Sequence, residues 1–156
     1  MKNVGSLLRR GARPEKPVGR LVLRSPREID LIRAAGRIVR QVLTDVERHV
    51  RIGVTTAELN RVAEAIIDAA GGTALFHGVQ TTGTKFPFPA ALCVSVNDEV
   101  VHGIPGARRL AEGDIVSVDC GVRLKGYCGD AATTIAVGTI KPVARHLMEV
   151  TSRSLD

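Results

Sequence analysis

The stretch Glu112-Gly-Asp-Ile-Val-Ser-Val-Asp-Cys-Gly-Val-Arg-Leu-Lys-Gly-Tyr-Cys-Gly-Asp-Ala-Ala-Thr-Thr-Ile-Ala-Val-Gly138 decides the fold. Two runs rich in Val, Ile and Thr flank a short polar segment, Arg123 to Gly126, which predicts a β-hairpin. Each strand carries one aspartate, Asp119 and Asp130. A regular hairpin centred between Leu124 and Lys125 sets the two directly opposite, with Cβ atoms about 5 Å apart. Like charges at that separation repel, and partial burial strengthens the repulsion. A divalent cation between them reverses the sign, because hard cations take carboxylate oxygens. The hairpin therefore carries either half of a metal site, or two aspartates that are merely solvated or thrown out of register by a bulge. Spacing alone leaves both readings open.

Working outward, Ser25, Pro26 and Glu28 form a helix start, with an N-cap, a proline at the first helical position and the acidic partner of a capping box. Ile29, Ile32, Ala35, Val39, Val42, Leu43 and Val46 recur at helical spacing, so this helix runs to about His49. A second capping box, Thr55 with Glu58, opens a helix with the stripe Leu59, Val62, Ala63, Ile66 and Ile67, which Gly71-Gly72 ends. Leu21 to Leu23 fits a short strand. The segment from Thr73 to Pro89 has no period and reads as a long loop of the kind that is often functional. Leu92 to Val96 alternates as a strand, and Gly106 to Gly113 reads as a basic surface loop. After Pro142 a third helix carries Val143, Leu147, Val150 and Ser154 in step, and the sequence stops inside it.

The 156 residues suffice for one domain, and 44% apolar content favours folding over disorder. No apolar run is long enough to span a bilayer, so a soluble chain is expected. The net charge of +6 is concentrated in residues 1–20, where six basic residues oppose Glu15, leaving the body near neutral. A DNA-binding body is thereby disfavoured. The basic segment 1–20 fits a flexible linker, a transit peptide or an arm that touches an anionic surface such as a ribosome. Cys93, Cys120 and Cys128 form no C-x-x-C pair, and Cys120 and Cys128 face opposite ways on the hairpin. No disulfide is expected, and a reducing, cytoplasmic setting fits best.

The run Cys93-Val-Ser-Val-Asn-Asp-Glu-Val-Val-His-Gly-Ile-Pro105, followed by Gly113-Asp-Ile-Val-Ser-Val-Asp119 and Gly129-Asp130, resembles the type I methionine aminopeptidases. Ser25-Pro-Arg-Glu-Ile and Ala34-Ala-Gly36 are similar to that family's first helix. The resemblance spans residues 21–156, as the N-terminal half of the family's catalytic domain. It implies an α+β pita-bread fold, helices packed on an antiparallel sheet. It also implies two divalent metal ions (Co, Mn, Fe or Zn) and removal of the initiator methionine from nascent polypeptides. On this resemblance Asp119 is a metal ligand, Asp130 bridges both ions, and His102 contacts the substrate amide and stabilises the transition state. Phe88 and Cys93 match positions around the methionine side chain. The family's second half supplies a histidine and two glutamates as further ligands, and none lies in this sequence.

His77, in the long loop, is either a further pocket residue or an ordinary loop histidine. His49 and His146 read as helix-surface residues. Cys128 stands where the family often has histidine, at a position that is not a ligand. Three functions follow from these residues: half of a metallo-aminopeptidase awaiting its C-terminal half, a pseudoenzyme that keeps the fold as a binding half-domain, or a nucleic-acid binder acting through its tail. Self-association that closes the site by symmetry would supply only aspartates and His102.

Overall fold

The computed structural model describes residues 22–80, 83 and 85–155. The basic segment 1–20 and Leu21 therefore lie outside the described residues, and Val22 and Leu23 form no strand. Three helices and four strands follow: α1 (Pro26–His49), α2 (Thr56–Ala69), β1 (Thr73–Ala74), β2 (Leu92–Val96), β3 (Ile115–Leu124), β4 (Tyr127–Ala136) and α3 (Pro142–Arg153). Both expected capping boxes form. The Ser25 hydroxyl accepts from Glu28 N–H and the Thr55 hydroxyl from Glu58 N–H, while each glutamate accepts from its cap's backbone amide. Each box satisfies two of the amides that a helix start leaves unpaired.

β3 is the centre of an antiparallel sheet, paired along its length with β4 on one side and with β2 and β1 on the other. Its residues alternate: Val116, Val118, Cys120 and Val122 are fully buried, and the residues between them face the opposite way. The buried row packs with Val39, Val42 and Val46 of α1 and Leu59, Ala63 and Ile67 of α2, giving a two-layer α+β body. At the N-terminal end of α1, Ile29 and Ile32 remain 43% and 36% exposed, so the apolar stripe is longer than the surface that covers it. α1 approaches β4 closely, since a Cβ on Gly129 would lie 2.6 Å from the Gly36 nitrogen.

The hairpin register differs from the expected one by two residues. Asp119 pairs with Ala132, and Asp130 pairs with Gly121. The cause is the turn: Lys125 and Gly126 both take positive φ, 50° and 86°, as a two-residue primed turn requires, so the hairpin is centred between them. Two shorter departures are local. Thr73–Ala74 at the start of the long loop pairs with β3 as β1. Within the expected surface loop, Arg108 and Arg109 are exposed, but Leu110 is buried and exchanges backbone hydrogen bonds with Gly53 and Val54. α3 forms as expected but closes at Arg153, where Ser154 caps it, and it buries none of its residues. Among the described residues no helix is long and apolar enough to cross a membrane.

Candidate functional site

The face of the sheet turned away from α1 and α2 carries the chemistry. Alternation puts Cys93 and Ser95 of β2, Ser117, Asp119 and Gly121 of β3, and Asp130 and Thr134 of β4 on this face. Cys93 lies directly opposite Asp119, and Ser117 and Thr134 share a 2.9 Å hydroxyl hydrogen bond.

The two-residue register shift keeps both aspartates on one face but makes them diagonal neighbours, whose separation is about 7–8 Å along the backbone. Gly121 closes that gap. A Cβ built there would lie 2.9 Å from Asp130 Oδ2, so the Asp130 carboxylate reaches across β3 into the space a side chain would fill. Leu75 comes in from the other direction, with its Cβ and Cδ1 each 3.1 Å from the same point and its backbone amide bonded to the Gly121 carbonyl. Burial raises the pKa of Asp119 and the Asp130 charge raises it further, while His102 and a Cys120 backbone hydrogen bond pull it down. Asp119 is thus a partly buried carboxylate beside a like charge, an arrangement that a cation relieves.

His102 lies on the loop that follows β2, near enough for its charge to act on Asp119. It takes a left-handed conformation, φ 57°, uncommon for a residue with a Cβ. The loop is pinned at several points. Gly103 bonds to Val94 and Ser95, Gly106 exchanges two hydrogen bonds with the buried Thr56 hydroxyl, and Arg108 pairs with Glu99 at 2.8 Å. The start of β2 is fixed in turn by Asn60 of α2, whose Oδ1 accepts from both Ala91 and Leu92 amides.

Burial, with the Asp119 and Asp130 charges adding to it, pushes the Cys93 thiol up to about 11. It is therefore neutral at physiological pH, a small soft wall rather than a thiolate. Cys120, on the helix side, is pushed to about 12 by the same causes in the same order. All three cysteines are free, as expected.

Phe88 and His77 are placed by the long loop. Phe88 is half-buried, its amide donating to Val79 and its carbonyl accepting from Gly78. His77 is exposed and lines a shallow cleft of 480 Å³ with Glu64, Asp68 and Thr73, which none of the other candidate residues lines. A second cleft of 450 Å³, at Asn97, Asp98 and Lys141, also lies away from the aspartates. Hence Asp119, Asp130 and Cys93 share one sheet face with His102 on the adjoining loop, while His77 lines a separate cleft. Sequence reasoning missed Gly121, Leu75, Ser95 and Gly103, which shape the cluster. Only the glycines left a signal, as residues without side chains beside charged ones.

Among the described residues no group of three or more His, Cys, Asp or Glu side chains is arranged to hold a metal ion. The two carboxylates nonetheless suit a hard divalent cation, because Gly121 leaves the space that lets Asp130 lean toward Asp119. The donor set is compatible but partial.

Residues 30–156 match the model of metallopeptidase family M24. A methionine aminopeptidase of Clostridium perfringens is 46% identical over 134 residues, covering 86% of this chain and 51% of that protein. Methionine aminopeptidase 1 of Bacillus subtilis is 42% identical over 135 residues, covering 86% of this chain and 52% of its own. The crystal structure of a methionine aminopeptidase from Thermotoga maritima superposes with a TM-score of 0.76 at 35% identity, covering 83% of this chain and 50% of that one. The chain spans about half the length of the curated relatives it matches.

Proposed function

Because the chain belongs to metallopeptidase family M24, we propose that it forms the N-terminal half of a methionine aminopeptidase, which removes the initiator methionine from nascent polypeptides. The observation that carries this reading is the placing of Asp119 and Asp130 on one sheet face, with His102 on the loop fixed to the neighbouring strand, in a body similar to the first half of such enzymes. Asp119 and Asp130 would supply carboxylate oxygens to the divalent ions, with the remaining ligands drawn from the other half of the domain. When bound, such ions supply Lewis-acid chemistry, lowering the pKa of water and polarising a carbonyl.

The chain's own residues would bind and orient the substrate. His102 would donate to the scissile amide and hold the developing negative charge as the carbonyl carbon becomes tetrahedral. Cys93, neutral and buried beside Asp119, and Phe88 would flank the methionine side chain, a thioether that packs well against sulfur and aromatic edges. The free cysteines suit a reducing compartment, and we place the protein in the cytoplasm. The six basic residues of segment 1–20 would serve as an arm on the anionic ribosome surface.

The test is to purify the native protein from its source cells, measure its intact mass, and assay release of methionine from a methionyl tripeptide with added Mn, Fe, Co or Zn. Metal-dependent release that Asp119→Asn or Asp130→Asn abolishes supports the reading. A native protein that releases no methionine with any of these metals overturns it, and leaves a binding half-domain as the function.

A further inference from the structure

Ser95 is buried, 6% exposed, on the same face of the sheet as Asp119. Its Oγ accepts the Gly103 amide at 3.1 Å, and the Gly103 carbonyl accepts the Val94 amide at 2.8 Å. Two consecutive residues of β2 thus grip one residue of the loop from both sides of its Cα. The grip leaves no room. A Cβ on Gly103 would lie 2.1 Å from the Val94 carbonyl oxygen, so the loop backbone lies flat on the strand. The residue directly before this clamp is His102, held in a left-handed conformation that a β-carbon disfavours. A strained backbone persists only where its surroundings over-determine it. The restraints next to His102 on this side are the two hydrogen bonds to Gly103, one of them from a side chain, and the further pins at Gly106 and Arg108 lie farther along the loop.

We propose that Ser95 is a positioning residue for hydrolysis: its buried hydroxyl fixes the Gly103 amide against β2 and thereby holds His102 beside the sheet face that carries Asp119 and Asp130. The proposal rests on the reading that His102 acts on the substrate. Without the hydroxyl, the Gly103 N–H loses its partner in a partly buried place, and the peptide joining His102 to Gly103 can rotate to seek another. His102 then relaxes toward ordinary φ and the imidazole leaves its station. Binding of the methionine side chain, which depends on other residues, should be little affected.

The experiment uses the native protein with Mn²⁺ and a methionyl tripeptide, comparing the parent, Ser95→Ala, Ser95→Thr, His102→Ala and the Ser95→Ala/His102→Ala double variant. Ser95→Ala should lower kcat about tenfold with KM nearly unchanged, and Ser95→Thr, which keeps the hydroxyl, should restore most of it. In the His102→Ala background the same Ser95→Ala change should cost less than about twofold, because its effect runs through a side chain already removed. Amide hydrogen exchange gives an independent readout: Gly103 should exchange at least about tenfold faster in Ser95→Ala, with Leu110 unchanged. An equal loss in both backgrounds, or an unchanged Gly103 exchange rate, overturns the proposal. If instead His102→Ala is as active as the parent, the role given to His102 fails, and the Gly103 exchange rate still decides whether Ser95 clamps the loop.

Discussion

Replacing Gly121 with alanine separates the cost of folding from the cost of metal binding. The new Cβ would sit 2.9 Å from Asp130 Oδ2 and 3.1 Å from both Cβ and Cδ1 of Leu75. The carboxylate is the far end of an exposed side chain and can swing away at little expense. Leu75 has less freedom, because its amide is bonded to the Gly121 carbonyl and β3 is held on both sides. Overpacking of one methyl against it should cost about 1 kcal/mol, at the low end of the range for added methylenes. For a chain of this length that is a Tm lower by about 2–4 °C. The larger effect falls on the swung carboxylate, which no longer points toward Asp119. Mn²⁺ affinity should drop at least about tenfold, the scale on which misplaced ligand partners are felt. At saturating metal this removes about 1.4 kcal/mol of metal-conferred stabilisation. Titration calorimetry on chelator-stripped protein reads the affinity, and melts with and without Mn²⁺ read the two stabilities. Gly36→Ala, inside α1 and with nothing within 4 Å of its Cβ, serves as the control for metal affinity, which it should leave unchanged while melting slightly higher. A Gly121→Ala protein that melts lower yet binds Mn²⁺ as tightly as its parent would refute the argument that the vacancy aims Asp130.

Three other expectations can be checked with simple measurements. Burial and the Asp130 charge raise Asp119, so the native state holds its proton more tightly than the unfolded chain, and stability falls as pH rises through that raised value. Without metal at pH 7, Asp119→Asn should therefore melt above the parent, and the difference should vanish in acid. Adding Mn²⁺ should raise only the parent, and a variant that melts lower in chelator contradicts the sign. Glu28 and Glu58 run the other way. Hydrogen bonds from the Ser25 backbone amide and the Thr55 hydroxyl hold their carboxyls below the usual value, so their contribution is present above about pH 4.5 and is lost as pH falls through the depressed values. The double variant Glu28→Gln/Glu58→Gln should show a flatter melting profile between about pH 5 and 3; an unchanged slope there would mean the boxes do not titrate. Finally, Cys93 at about 11 is thiolate in only about one molecule in a thousand at pH 8, and Cys120 in fewer, so iodoacetamide should label exposed Cys128 first and alone under mild conditions. Mass spectrometry showing early Cys93 alkylation would be the contrary result.

The helices and strands were legible because each carried a local signal that tertiary packing did not overrule. Two capping boxes, a proline at the first helical position and clean alternation in β2 and β3 fixed α1, α2 and the sheet. The register was less legible. Lys125-Gly126 is a two-residue primed turn with glycine in its second place, a signal present in the sequence, yet the polar run Arg123 to Gly126 allows either centre until the backbone conformation is known. α3 shows the opposite limit. Its stripe of Val143, Leu147 and Val150 is readable from periodicity, but periodicity reports amphipathy and not what covers it. In the described residues the stripe is 74%, 61% and 49% exposed.

The candidate site divides along a similar line. Residues that carry charge or a ring announce themselves, so Asp119, Asp130, Cys93 and His102 could be named from spacing and resemblance. Their geometry comes from residues that announce almost nothing. Gly121 works by lacking a side chain where Asp130 must lean, and Gly103 by lacking one where the loop meets Val94. Ser95 looks like an ordinary polar position of an alternating strand until its hydroxyl is seen beneath the amide that follows His102. The expected pairing of the aspartates would have made Gly121 irrelevant, with the carboxylates already face to face. The observed diagonal makes it necessary, because a side chain at position 121 would meet the Asp130 carboxylate where it now lies. A two-residue change of register thus moves the critical position from the acids themselves to the glycine opposite one of them.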